Sequence, residues 1–167
     1  NEYYGSKYSV SVNSATSGLY MAIGALGIGY GDEVIVSPYT MSACAMAPMI
    51  YGAIPVFADV DNMGSLDPNS IKTLVSSRTK AILVVHQFGI PADMDKIMEL
   101  AKQHDLKVIE DCAQAHGAKY NNKYVGTFGA IGVFSLNVNK SIQTGEGGIC
   151  ITDDEELAYR LALIRNH

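Results

Sequence analysis

No stretch of this 167-residue chain approaches the ~18 consecutive apolar residues of a membrane span, and its opening residues carry no signal-peptide pattern. No basic stripe occurs and the net charge is −5, which speaks against a nucleic-acid partner. It does not speak against a nucleotide or phosphate, because such sites use backbone N–H groups as much as net charge. Cysteine is scarce: Cys44, Cys112 and Cys150 lie far apart in apolar runs, with no Cys-x-x-Cys. They read as reduced core residues of a cytosolic protein, and a cytoplasmic location is expected. His86 and His116 have no metal-type spacing and no third ligand in view, so no metal centre is expected. No Gly-Lys-Ser/Thr follows the first strand, which excludes a Walker loop. No Gly-x-Gly-x-x-Gly follows it either, so a nicotinamide-binding domain lacks its fingerprint. Internal repeats, linkers and low-complexity tracts are also missing.

What is present is an alternation. With 48% hydrophobic residues and 16 glycines, the chain suffices for one domain with a real core, taken as residues 1–167. Apolar or β-branched runs at Tyr8–Val12, Glu33–Ser37, Pro55–Ala58, Lys80–Val85, Leu106–Glu110, Ile131–Leu136 and Gly148–Thr152 predict seven strands. Several are nearly continuous, as expected of strands buried on both faces of a parallel sheet. Between them run helical stripes: Leu19, Ala22, Ile23 and Leu26; Met94, Ile97, Met98 and Ala101; Leu157, Leu161 and Ile164. Asp67-Pro68 predicts a helix start, and Asp153 with Glu156 predicts an acidic capping box. Pro48 predicts a kink or a short first turn within Met41–Tyr51. The expected fold is a three-layer α/β/α domain with a mainly parallel seven-stranded sheet. Asn1-Glu2-Tyr3-Tyr4-Gly5 resembles the tail of an earlier helix, and the amphipathic segment Asp154 to Arg165 reaches Asn166-His167 without a glycine cap. The chain is therefore expected to be part of a longer protein.

In such sheets ligands gather beyond the carboxyl ends of the strands, so the residues there carry the functional argument. After the first strand, Ser14-Ala15-Thr16 opens a helix whose free N–H groups form an anion site, although Ser14 could equally be a plain N-cap. After the fifth, Asp111 emerges from an apolar run and needs a hydrogen-bonding or cationic partner, unless it merely caps a helix. After the sixth, Ser135 could bond a phosphate or its own strand. Lys140 follows it in Asn137-Val138-Asn139-Lys140, just before a glycine-rich segment. Taken alone, Lys140 reads as a surface lysine. A partly desolvated lysine, however, has a lowered pKa and a free amine that can attack a carbonyl. A hydroxyl-rich helix start, an aspartate and a lysine match the three attachments of pyridoxal phosphate: phosphate, ring nitrogen and aldehyde.

With these parts in place, the chain resembles the DegT-type sugar aminotransferases, within the aspartate aminotransferase fold type. The resemblance runs through Leu26-Gly27-Ile28-Gly29-Tyr30-Gly31-Asp32-Glu33-Val34, Gly52-Ala53-Ile54-Pro55-Val56-Phe57-Ala58-Asp59, His86-Gln87-Phe88-Gly89-Ile90-Pro91-Ala92-Asp93, Glu110-Asp111-Cys112-Ala113-Gln114-Ala115-His116-Gly117 and Gly145-Glu146-Gly147-Gly148. It implies that Lys140 is the covalent attachment point and the later proton carrier. It implies further that Asp111 holds the pyridine nitrogen, that Gln114 lies by the ring, and that Ser135 with Ala15 and Thr16 binds the phosphate. Met41 stands where the family usually has an aromatic stacked on the ring, and Ser14-Ala15-Thr16 where it commonly has Ser-Gly-Thr. The family also implies amino transfer, typically from glutamate, to a nucleotide-linked keto-sugar for surface polysaccharides or amino-sugar metabolites. A homodimer and a small C-terminal domain beyond this chain are implied as well. The competing readings are a related dehydratase, which places a histidine at the position of Lys140, and a non-catalytic relative of the same fold.

Overall fold

The structure, a computed structural model, describes residues 2–166; Asn1 and His167, the outermost residues of the two expected chain ends, lie outside them. In chain order the elements are β1 (Tyr8–Val12), α1 (Ala15–Ala25), β2 (Glu33–Val36), α2 (Ala43–Ile50), β3 (Ile54–Phe57), α3 (Pro68–Leu74), β4 (Thr79–Val85), α4 (Met94–Gln103) and β5 (Lys107–Asp111). They continue with β6 (Lys119–Tyr120), β7 (Lys123–Tyr124), β8 (Ile131–Ser135), β9 (Gly148–Thr152) and α5 (Glu155–Asn166). Seven strands form one sheet in the order β1-β9-β8-β5-β4-β2-β3. The pairs from β8 to β3 are parallel, while β9 is antiparallel to both β1 and β8. The fold is therefore the expected three-layer α/β/α domain with a mainly parallel sheet.

Alternation along the strands builds the two outer layers. On β4, Ala81, Leu83 and Val85 face a core shared with α1, α2 and α5, whereas Ile82 and Val84 face the core under α3 and α4. On β5, Ile109 joins the first core and Val108 the second. Asp111 continues the face of Ile109, and Glu110 the face of Val108. The chain leaves β2 for α2 on one face and β4 for α4 on the other, which opens a crevice at the carboxyl edge between those strands.

Glu110 is fully buried, yet its carboxylate is saturated. It accepts from His86 Nε2 at 3.0 Å and from the amides of Gly126 (2.6 Å), Phe128 (2.7 Å) and Gly129 (2.7 Å). His86 Nδ1 accepts the Ala92 amide at 3.2 Å, so the ring proton sits on Nε2 and is donated to Glu110. Cys112 lies close by, all three ligand atoms falling within 4.8 Å of one another. Both ring nitrogens of His86 and both oxygens of Glu110 are already engaged, so the group is a hydrogen-bonded knot that fastens the loop before β8 to the ends of β4 and β5.

Several expectations need correction. The Asp153 side chain accepts the Lys7 amide, and Asp154 caps α5 instead, accepting Leu157 N–H at 3.0 Å. Glu156 pairs with Arg160 rather than completing a box. The apolar stripe of α5 is shallow: Leu161 is buried, while Leu157 and Ile164 are only partly covered. Helix α2 runs through Pro48 without ending, losing one internal hydrogen bond, and the proline ring is buried. Residues 2–5 form a turn. The short hairpin β6–β7 has no counterpart among the predicted strands. Its turn residues Asn121 and Asn122 both take positive φ, 47° and 65°, a conformation asparagine tolerates well.

Removing the knot is costly. Glu110→Ala strands one buried and two partly buried amides and a buried histidine, and a loss of about 3–5 kcal/mol is expected in urea unfolding. A loss under about 1 kcal/mol would contradict this account of the loop.

Candidate active site

The carboxyl edge gathers the residues singled out from the sequence. Asp111 ends β5 and is 6% exposed. Its Oδ1 accepts the Ala113 amide at 2.9 Å and its Oδ2 the Cys44 thiol at 3.2 Å. Burial pushes its pKa up, and the Ala113 amide, the Cys44 thiol, His86 and the charge of Lys140 only partly offset this. The charge of Lys140 is therefore within electrostatic reach of Asp111.

Ser135 ends β8, is buried, and accepts the Asn137 amide at 3.3 Å. Its register partner is Gly148, the first residue of β9. A Cβ on Gly148 would come within 2.8 Å of the Ala15 nitrogen, so glycine is what lets the start of α1 approach the Ser135–Gly148 pair. Ser14 caps α1, its Oγ accepting Ser17 N–H at 3.2 Å. The amides of Ala15 and Thr16 are two of the four that a helix cannot satisfy internally, and they start beside Ser135. Ala15 is buried and Thr16 half-buried.

Lys140 sits half-buried in the loop between the antiparallel β8 and β9. That loop is tied to itself by Leu136 N–H to Gly147 O (2.8 Å), Thr144 N–H to Leu136 O (2.9 Å) and Val138 N–H to Gly145 O (2.7 Å). Lys140 makes no side-chain hydrogen bond or ion pair among the described residues. Its charge also acts on His116, whose pKa is lowered mainly by burial. Both ring nitrogens of His116 are buried without a well-formed hydrogen bond, although the Ser135 carbonyl lies near enough to offset part of that burial.

Gln114 is exposed, and its Oε1 accepts the Phe88 amide at 2.8 Å. Phe88 has a positive φ of 54° and stands edge-on to Tyr39, with ring centroids 6.2 Å apart. Gln87 Nε2 donates to the Tyr39 carbonyl at 2.8 Å, joining the loops after β2 and β4. Met41, in the same loop as Tyr39, is 71% exposed. A cavity of about 490 Å³ lies elsewhere, along α1 between Val12, Asn13, Tyr20, Tyr51 and Ile164, and contains none of Asp111, Ser135 or Lys140. Sequence reasoning missed Cys44 as a partner of Asp111, and Glu110 as an anchor. A carboxylate ending an otherwise apolar strand was the available signal for Glu110.

The model of the DegT/DnrJ/EryC1/StrS aminotransferase family matches residues 1–167. The chain belongs to this family. Aminotransferases of the family depend on pyridoxal phosphate. The chain is 48% identical over 155 residues to a GDP-perosamine synthase of Escherichia coli O157:H7, covering 92% of this chain and 43% of that protein. It is 47% identical over 165 residues to a UDP-N-acetyl-3-dehydro-alpha-D-glucosamine 3-aminotransferase of Acidithiobacillus ferrooxidans, covering 98% and 45%. Among solved structures, an aminotransferase from Psychrobacter cryohalolentis superposes with a TM-score of 0.97 at 45% identity, over 99% of this chain and 42% of that one. The chain thus spans less than half the length of the relatives it matches. No helix among the described residues is long and apolar enough to cross a membrane.

Burial of Asp111 sets a pH dependence. Its raised pKa means that the folded chain without cofactor binds this proton more tightly than the unfolded chain. Its contribution to stability therefore falls as pH rises from the ordinary carboxylate range through the raised value. Asp111→Asn is expected to flatten that slope and to stabilise the cofactor-free fold at neutral pH relative to the parent. Urea unfolding at about pH 4 and about pH 7 checks this. An Asn variant destabilised equally at both pH values would contradict it.

Proposed function

We propose that this chain is the cofactor-binding domain of a pyridoxal-phosphate-dependent aminotransferase that moves an amino group, from glutamate, onto a nucleotide-linked keto-sugar. The observation that carries the reading is a buried carboxylate, Asp111, held by only two neutral donors at the carboxyl end of β5, with the half-buried Lys140 in the loop that follows β8. The residues fit the cofactor. Asp111 offers a dry anion to a protonated ring nitrogen, and the amides of Ala15 and Thr16 with the Ser135 hydroxyl offer donors to a phosphate. Lys140 offers an amine. When bound, the cofactor supplies an electron sink that makes the carbon next to an amino group acidic.

The protein's part is then positional and electrostatic. Asp111 keeps a proton on the ring nitrogen. Lys140, placed on a hairpin loop rather than inside a strand, would offer its amine as the proton acceptor and donor. Gln114 would flank the ring, and Met41 would face it with a soft sulfur contact in place of an aromatic stack. Lysine rather than histidine at position 140 favours amino transfer over dehydration. The GDP- and UDP-linked sugars in the names of two relatives support a nucleotide-sugar acceptor.

The exposed Met46, Met49, Ile50, Ile54 and Phe57 along α2 and the edge strand β3 support a homodimer buried through that flank. The greater length of the relatives supports a second, smaller domain that completes the substrate site.

Lys140→Ala is expected to reduce transamination of a nucleotide keto-sugar panel to background, followed by product chromatography, while phosphate-anchored cofactor binding persists. Undiminished turnover would overturn the role. Asp111→Asn is expected to raise the barrier to proton removal by on the order of 3 kcal/mol, read as the rate of the cofactor's absorbance change with glutamate. Equal rates would contradict it.

A further inference from the structure

We propose that Cys44 is a positioning residue for Asp111: its thiol donates to Oδ2 and fixes the orientation in which that carboxylate meets the cofactor's ring nitrogen. The inference rests on the functional reading above. Cys44 lies in the first turn of α2, fully buried against the sheet, with Sγ 3.2 Å from Asp111 Oδ2. The Ala113 amide holds Oδ1 from the other side at 2.9 Å. One donor on each oxygen defines the plane of the carboxylate and leaves each oxygen a second lone pair. Neither donor is a cation, so the negative charge stays available for a cationic partner.

The thiol is suited to this task. Burial and the neighbouring Asp111 raise the pKa of Cys44, so the S–H remains a donor rather than a second anion. Thr40 Oγ1, 3.7 Å from Sγ, extends the chain to the loop that carries Met41. The carboxylate is thereby coupled to α2 and to the loop after β2, as well as to its own strand. A merely space-filling cysteine would need none of these contacts.

Two measurements test the proposal. In the cofactor-free protein, the infrared S–H stretch assigned to Cys44, by its loss in Cys44→Ser, is expected to move to higher frequency in Asp111→Asn. Equilibrium dialysis with pyridoxal phosphate is expected to show about tenfold weaker binding for Cys44→Val, which keeps the shape but not the donor, and near-parental binding for Cys44→Ser. Parental binding by Cys44→Val, equal weakening in both variants, or an S–H band unmoved by Asp111→Asn would overturn it. Should Cys44→Val fail to fold, the S–H band and the serine variant still decide. A parent protein that binds no pyridoxal phosphate would instead overturn the functional reading, with the S–H band reporting the contact independently.

Discussion

A carboxylate held out of water at the end of a central strand costs free energy unless something answers its charge. Asp111 is in that position because β5 carries it to the carboxyl edge with its side chain turned toward α1 and α2. The protein supplies one amide, one thiol and the more distant charges of His86 and Lys140, which leaves the pKa raised. Glu110, its neighbour on the opposite face, is the contrasting case, saturated by four donors and structural in effect. Two adjacent acids thus serve different ends, and the difference lies in how completely each is satisfied.

The rest of the arrangement follows from topology. Antiparallel pairing of β9 with β8 turns the segment after Ser135 into the hairpin loop that carries Lys140. The same pairing puts Gly148 beside Ser135 and lets α1 begin there. On the proposed function, phosphate donors, ring anchor and amine would come from separate segments at the carboxyl edge of one sheet. The His86–Glu110 knot and the Gln114–Phe88 and Gln87–Tyr39 bonds tie the segments at the carboxyl ends of β2, β4 and β5 together.

Most of this was legible in the chain. The seven strands of the main sheet lie within a residue of the expected runs, because strands buried on both faces declare themselves as apolar runs bounded by turn residues. Asp111, Ser135 and Lys140 were singled out because the carboxyl edge is where such sheets bind ligands. What escaped was long-range or local chemistry without a pattern. Cys44 reads as a small hydrophobe until the fold brings it across 67 positions to Asp111. Asp153 and Asp154 are both competent caps, and only the path of β9 into α5 selects the second. Pro48 looked disruptive because its missing hydrogen bond is visible in sequence, while the burial of its ring is not.

The central claim is that Lys140 is the amine that captures the cofactor, and borohydride trapping addresses it most directly. Protein loaded with pyridoxal phosphate, reduced with sodium borohydride and digested, should carry one pyridoxyl group, located by mass spectrometry on Lys140. A modification confined to any other lysine, or none at all, would contradict the account.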